Sequence, residues 1–323
     1  MLELDRIAQD VRAWRDELLS SGPGPSAFVW GDEPGPNLLH LNDLVWIQYV
    51  TGDLGSKGAA PATSGEGADW AEAINAWQDP DGRFHYPEWE RHGWEHATWQ
   101  SVGALTMLGS QPGRALDFLR KLKTPSAIRE WVADFNWQTT HHRFMLLPLL
   151  ASSGVSGGWI RACFVQLQTH QDAATGFWPD AETAHRLSPT FLMTVLHHLL
   201  AEGPPRRERI IDTTLAFQRD DGLFSAEGRL GYADMDAAYL LWSIASRTGY
   251  RLEECLAAVE HLARRMDADY LREGMPILQR DPHVVLAACG ACAVVQAFAP
   301  HSLTSSRRWR FPWSEGRLFR VPS

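Results

Sequence analysis

Gln218-Arg-Asp-Asp-Gly222-Leu-Phe224 is a turn written as glutamine, three residues, glycine, one residue, aromatic. The same pattern stands at Gln78-Asp-Pro-Asp-Gly82-Arg-Phe84 and, with one residue inserted, at Gln171-Asp-Ala-Ala-Thr-Gly176-Phe-Trp178. Gln171 and Gln218 are 47 residues apart, and Gln78 precedes Gln171 by 93, about two such steps. A fixed period of roughly 20–50 residues marks a repeat architecture. Glycine at the fixed place supplies a backbone conformation that side chains resist, and the aromatic gives the turn an anchor.

Working outward, each turn leads into a polar cluster and then an apolar run of about a dozen residues. The runs begin at His96, His141, Ser188, Met235 and His283, separated by 45, 47, 47 and 48 residues. Asn42-Asp-Leu-Val-Trp-Ile-Gln-Tyr-Val50 is an earlier member, 54 residues before His96, and the extra length falls in the Gly/Ala/Ser-rich excursion 52–67. Between the runs lie amphipathic stretches, with Leu116, Leu119 and Leu122, then Ile160, Phe164 and Leu167, then Leu256, Val259 and Leu262 at helical spacing. No run alternates with period two, so strands are expected to be scarce. The expected fold is all-α, an (α/α)6 toroid of helical hairpins with the apolar helices inside, and an open solenoid is the alternative. Residues 1–303 would form one toroid domain and 304–323 a basic, aromatic tail.

The bulk properties bound the function. Among 323 residues, 45% are hydrophobic, enough for a large core, and 21% are charged, against broad disorder. A net charge of −9 argues against general nucleic-acid binding. No apolar stretch is long enough for a transmembrane helix and no signal peptide opens the chain. Cys289 and Cys292 have C-x-x-C spacing but sit in an apolar run and read as core. Without a cysteine framework, a reducing, cytoplasmic setting is expected.

In a toroid the starts of the inner helices surround one mouth. The residues at that phase are Asn42 and Asp43; Glu95 and His96; His141 and His142; His185, Arg186 and Ser188; Asp234 and Asp236; Asp281 and His283. Helix caps explain Asp, Asn and Ser there. They do not explain the histidines, so a pocket of titratable groups is expected, with helix N-termini suited to an anion such as a diphosphate. Capping remains the plain alternative for any one residue.

At these residues the chain resembles the terpenoid cyclase and protein prenyltransferase superfamily. Its turns look like the QW repeats of squalene–hopene cyclases. The stretch from Gly222 through Asp234-Met-Asp236 to Tyr239 is similar to the segment carrying the D-x-D-D acid of class II cyclases, the central acid falling on Asp236, the first Asp on Asp234, and the last being Ala237 here. That resemblance implies a carboxylic acid of raised pKa that protonates an alkene, with Trp94, Trp99, Tyr239 and Trp242 as aromatic faces for the cation. Asp234-Met-Asp236, with Arg280-Asp281-Pro-His283 downstream, also resembles the zinc segments of prenyltransferase β-subunits, where D-x-C stands instead. A divalent metal, Mg or Zn, over Asp234, Asp236 and His283 is what this second resemblance implies. Ala184-His185 with Thr190-Phe191 is similar to the segment whose His holds diphosphate, and Arg229 and Arg186 are the basic residues at hand.

The sequence-level expectation is therefore an isoprenoid-handling, terpene cyclase-like enzyme with Asp236 as general acid and Asp234 beside it. Glu95, His96, His141, His142, His185, Arg186, Tyr232, Tyr239, His283 and Trp94 would line the substrate, a small hydrophobic molecule such as a prenyl diphosphate or prenylated aromatic. A carbohydrate-active toroid (hydrolase, lyase or epimerase) and a noncatalytic scaffold are the alternatives. Class II cyclases usually enclose substrate between two toroids, so the tail, a homodimer partner or a deep mouth would have to close this cavity. The tail itself is read either as docked across the outer helices or as a flap offering arginines over the mouth.

Overall fold

A computed structural model describes the chain except residues 21–23, 55–65, 89–91, 123, 125, 128–129, 131–140, 180–186, 201–202, 274–280 and 320–323. The protein is mostly helical and of the all-α class. Its helices are α1 (Leu4–Ser20), α2 (Leu38–Thr51), α3 (Glu66–Asn75), α4 (Trp94–Met107), α5 (Phe118–Lys121), α6 (Leu147–Ser152), α7 (Gly157–Gln168), α8 (Leu187–Leu200), α9 (Arg207–Ala216), α10 (Tyr232–Thr248), α11 (Leu252–Glu273) and α12 (Pro282–Phe298). The described strands are β1 (Leu2–Glu3) and β2 (Leu303–Thr304), which pair in parallel, Leu2 opposite Leu303.

The repeated turn is built three times alike. The glutamine amide nitrogen donates to the carbonyl of the glycine and to a second carbonyl further on: Gln78 to Gly82 at 3.0 Å and Arg114 at 2.9 Å, Gln171 to Gly176 at 2.7 Å and Pro205 at 2.9 Å, Gln218 to Gly222 at 3.0 Å and Ala258 at 2.8 Å. Each glutamine thus stitches its turn to the chain some 35–40 residues later. The glycines have φ of 91°, 73° and 89°. At Gly82 an added Cβ would lie 2.1 Å from the Ala115 carbonyl oxygen, so backbone conformation and space both demand glycine. The aromatics Phe84, Trp178 and Phe224 are buried.

A second repeated contact joins each turn to the next apolar helix. The amide N–H of Phe84 donates to the Thr98 hydroxyl at 3.1 Å, that of Trp178 to the Thr190 hydroxyl at 3.1 Å, and that of Phe224 to Asp234 Oδ1 at 2.7 Å. Thr98, Thr190 and Asp234 therefore occupy one position of the repeat.

The apolar helices are buried almost all round, as their uniform hydrophobicity requires. They pack in sequence: α2 on α4, α4 on the 3-10 segment His141–Leu146, that segment on α8, α8 on α10, α10 on α12, and α12 on α2. The second apolar run departs from the expected single α-helix. It opens as the 3-10 segment and becomes α6 only at Leu147, where Pro148 in the first turn suits a helix start but not an interior. The helices α7 and α11 are amphipathic, the former burying Trp159, Ile160, Cys163, Phe164 and Leu167. The stretch around Leu116–Leu122 yields only the short α5. Most of the excursion 52–67 lies outside the described residues.

The tail takes neither expected course. Arg310 N–H donates to the Val50 carbonyl at 3.0 Å, Trp309 N–H to Gln296 Oε1 at 2.6 Å, and Gln296 Nε2 to the Arg307 carbonyl at 2.8 Å. These anchors sit at the C-terminal ends of α2 and α12, not at the starts where a flap over the polar residues would lie. From there the tail turns inward. Trp309, Phe311, Trp313, Leu318 and Phe319 are buried, and Phe311, Trp313 and Phe319 lie against Phe191, Tyr239, Trp46 and Trp99 of the apolar helices. Gly103 and Gly290 face Phe319 and Trp313 respectively: a Cβ on either would lie 3.3 Å from the ring, and closer still to Trp46 or Met235.

Candidate functional site

The starts of α2, α4, α10 and α12 bring one connected set of polar side chains together. Asp43 on α2 is fully buried. Its Oδ1 accepts from Gln100 Nε2 at 2.7 Å, and its Oδ2 lies 3.0 Å from His283 Nδ1. The Tyr232 hydroxyl reaches the same His283 nitrogen at 3.2 Å, with the two rings 4.4 Å apart. On the other side, Tyr86 donates to Gln100 Oε1 at 2.7 Å and lies 2.5 Å from His96 Nδ1. The His92 ring stands 4.7 Å from that of His96 and 5.4 Å from that of His283.

Asp236 lies one turn along α10 from Tyr232, on the same face. It is buried, and its Oδ1 has no hydrogen-bond partner among the described residues. Burial raises its carboxyl well above the ordinary carboxylate range, and the charge of Asp234 adds to the rise. Tyr232 is likewise raised well above the usual phenol range, by burial first and then by the charges of Asp43 and Asp236. Both effects favour the protonated, neutral carboxylic acid over the carboxylate at Asp236.

Asp234, two residues away, does something else. Its Oδ1 accepts from Phe224 N–H at 2.7 Å and Ser225 N–H at 3.2 Å, and its Oδ2 from Gly231 N–H at 2.9 Å. Burial pushes its carboxyl up, and the three N–H groups pull against that by favouring the charged form. Both oxygens are spent on the turn, which makes Asp234 the repeat's clamp rather than a chemical group. The donor set proposed for a metal does not fit for the same reason. Among the described residues no three His, Cys, Asp or Glu side chains are arranged to hold an ion, and no step is drawn through one.

The other expected residues divide. Glu95 is buried and its Oε1 accepts from Arg143 Nε at 3.1 Å, an ion pair at the edge of the set. Tyr239 lies a turn deeper, stacked on Phe311 at 4.9 Å with 16° between the rings. Trp94 turns away: its ring packs on Phe118 at 5.2 Å, and the Arg83 guanidinium lies over it at 5.2 Å, so it does not line the set. Trp99 is the tryptophan of α4 that does, 5.2 Å from the His96 ring. The backbones of His141 and His142 begin the 3-10 segment, while their side chains, and the whole of His185 and Arg186, lie outside the described residues.

Tyr86, His92 and Gln100 are members that sequence reasoning missed. Gln100 could have been found, since it stands four residues after His96 and shares its helix face. Tyr86 and His92 belong to the connection between turn and helix, where no period applies. A cleft of about 420 Å³ opens from solvent beside Tyr232, lined by Ser225, Leu230, Gly231, Asp281 and Val284 among others.

No family model, curated protein or solved structure matches the chain. Among the described residues no helix is long and apolar enough to cross a membrane.

Proposed function

We propose that the packing order of the apolar helices, with α12 returning to α2, is an α/α toroid whose polar mouth is the site of an isoprenoid-handling, terpene cyclase-like enzyme with Asp236 as general acid. The single observation that carries this reading is the buried Asp236 carboxyl, its proton affinity raised by burial and its Oδ1 without a partner among the described residues. Protonating a carbon–carbon double bond needs a strong donor held where water cannot level it. The alkene π pair forms the new C–H bond with the Asp236 proton, and positive charge passes to the more substituted carbon. The faces of Trp99 and Tyr239, one turn deeper, favour that charge. Asp43, His283 and Tyr232 hold a polar rim around the entrance, and the charge that acts on Asp236 among the described residues, that of Asp234, is like-signed and favours keeping its proton.

One set of observations favours a second reading, a noncatalytic toroid. Asp43, Gln100, Tyr86, His96 and His283 satisfy one another, Glu95 is matched by Arg143, and the interior beneath is filled by tail aromatics. A glycan-cleaving reading is weaker, because it needs a second carboxylate opposite Asp236, and both Asp43 and Glu95 are engaged.

The deciding experiment incubates the protein with prenyl diphosphates and prenylated aromatics and identifies products by mass spectrometry. Cyclised product from the parent protein and none from Asp236→Asn, with thermal stability no lower than the parent's, is the expected result. Equal turnover by both proteins removes Asp236 from the acid role, and no turnover of any substrate by either leaves the noncatalytic reading standing.

A further inference from the structure

Four of the polar positions at the mouth are each followed, three residues on, by an aromatic: Asp43 by Trp46, His96 by Trp99, Ser188 by Phe191, and Asp236 by Tyr239. Three residues is just under one helical turn, so an aromatic layer lies about 5 Å beneath the polar one. The centre of that layer is occupied. Trp313 lies 5.1 Å from Trp46, Phe319 lies 5.8 Å from Trp99, and Phe311 lies 4.9 Å from both Tyr239 and Trp313.

This plug is built into the fold rather than laid on it. Glycine is a poor choice inside a helix, yet α4 and α12 carry Gly103 and Gly290 where the Phe319 and Trp313 rings approach to 3.3 Å of a would-be Cβ. The tail is also tied down outside the layer: Tyr49 donates to Glu315 at 2.7 Å, Arg307 Nη1 to Asp53 Oδ1 at 2.8 Å, and Arg317 Nη2 to the Tyr49 hydroxyl at 2.7 Å. Withdrawing so much buried aromatic surface would compete with the stability of the whole domain. The tail is therefore a fixed wall, not a gate, and a molecule entering past Asp43 and Asp236 meets it after about one turn of helix.

We propose that Phe311, Trp313 and Phe319 form the specificity-determining floor of the site, and that Trp313 sets the length of apolar substrate admitted, limiting it to short prenyl groups. This rests on the isoprenoid reading but addresses size rather than proton transfer.

The test compares the parent protein with Trp313→Ala, Phe319→Ala and a control, Trp70→Ala, which empties an equal volume at a buried tryptophan of α3. Binding of dimethylallyl, geranyl, farnesyl and geranylgeranyl diphosphates is measured by calorimetry. The parent should prefer the two shorter chains. In Trp313→Ala the preference should move toward farnesyl or geranylgeranyl by at least tenfold, in Phe319→Ala by less, and in Trp70→Ala not at all. If Trp313→Ala fails to fold, Trp313→Leu carries the same comparison with a smaller shift. An unchanged length preference, an equal shift in Trp70→Ala, or no binding of any of the four to the parent overturns the proposal. The two readings fail separately. Shifted binding without turnover by the parent leaves the floor standing and removes the acid, whereas turnover that needs Asp236 with an unshifted length range does the reverse.

Discussion

The two ends of the apolar helices are made of opposite materials. At their starts, Asp43, His96, Tyr232, Asp236 and His283 gather titratable groups around one another. Deeper along the same helices, the tail anchored at their C-terminal ends fills the interior with Phe311, Trp313 and Phe319. Polar groups collected at one end need partners, and each one left without a partner is costly when buried. Aromatics at the other end need only area and shape. The difference teaches that stability is concentrated at the sealed end, while the open end tolerates an unpartnered acid, the usual division between scaffold and site.

The most severe way to break this comparison is to remove the seal. Deleting residues 306–323 removes Trp309, Phe311, Trp313, Leu318 and Phe319 from the core, each worth about 2 kcal/mol of burial, and the sum of about 10 kcal/mol rivals the stability of a domain. The expected outcome is loss of the cooperative urea transition. A truncated protein that still unfolds cooperatively near the parent midpoint would show that the tail is an ornament.

Next comes the turn. Gly82→Ala forces a left-handed residue and drives Cβ into the Ala115 carbonyl, so a loss of about 3 kcal/mol is expected by chemical denaturation. A loss under about 1 kcal/mol would mean that the turn relaxes freely.

The sharpest contrast lies within α10. Asp234→Ala abandons three N–H donors and should lose about 2–3 kcal/mol, against about 1 kcal/mol for Thr98→Ala, which abandons one. Asp236→Asn, which abandons no hydrogen-bond donor among the described residues, should not lower stability at neutral pH. Finding Asp236→Asn the more damaging of the two aspartate substitutions would reverse the assignment of clamp and acid.

The smallest effect is the most specific. Because the folded Asp236 pKa is raised, its contribution is fully present below the unfolded carboxylate pKa and is lost as pH rises through the folded value. Asp236→Asn should therefore gain stability relative to the parent as pH rises above the unfolded carboxylate pKa of about 4. Absolute stability has an opposite component in the acid range. Burial holds His197 down to about 4 and His198 to about 3, so both resist protonation when folded, and stability falls as pH drops below their unfolded value. The difference between the two proteins cancels the histidines. A difference that stays flat with pH rules out a raised Asp236.

What could be read from the sequence was local or periodic. The glutamine, glycine and aromatic of the turn lie within seven residues of one another, so the turn itself was legible, as was the mostly helical class, but the second bond of each glutamine to a distant carbonyl was not. Asp43, Glu95, His96, Asp234, Asp236 and His283 were placed at helix starts by the period alone. The division of labour between Asp234 and Asp236 was not, because it depends on where the Phe224, Ser225 and Gly231 amides point. A closer reading of the repeat could have found it, since Asp234 takes the place of Thr98 and Thr190. Trp94 was misplaced because a helix start exposes two faces and periodicity does not say which is inward. The tail misled through its arginines. The informative signal was instead the spacing of Trp309, Phe311 and Trp313 at every second residue, all buried, while Arg308 and Arg310 beside Trp309 stay outside the core.

The pairing of Leu2 with Leu303 has a consequence for how the protein is made. The hydroxyl of Tyr270 likewise donates to Asp10, and Ser306 N–H donates to Asp5 at 2.6 Å. Helix α1 thus finds partners 260 and 301 residues further along the chain. Until those partners are synthesised, Ile7, Val11 and Trp14 present a greasy stripe to solvent, and refolding from denaturant, where all partners are present at once, should outpace folding during synthesis.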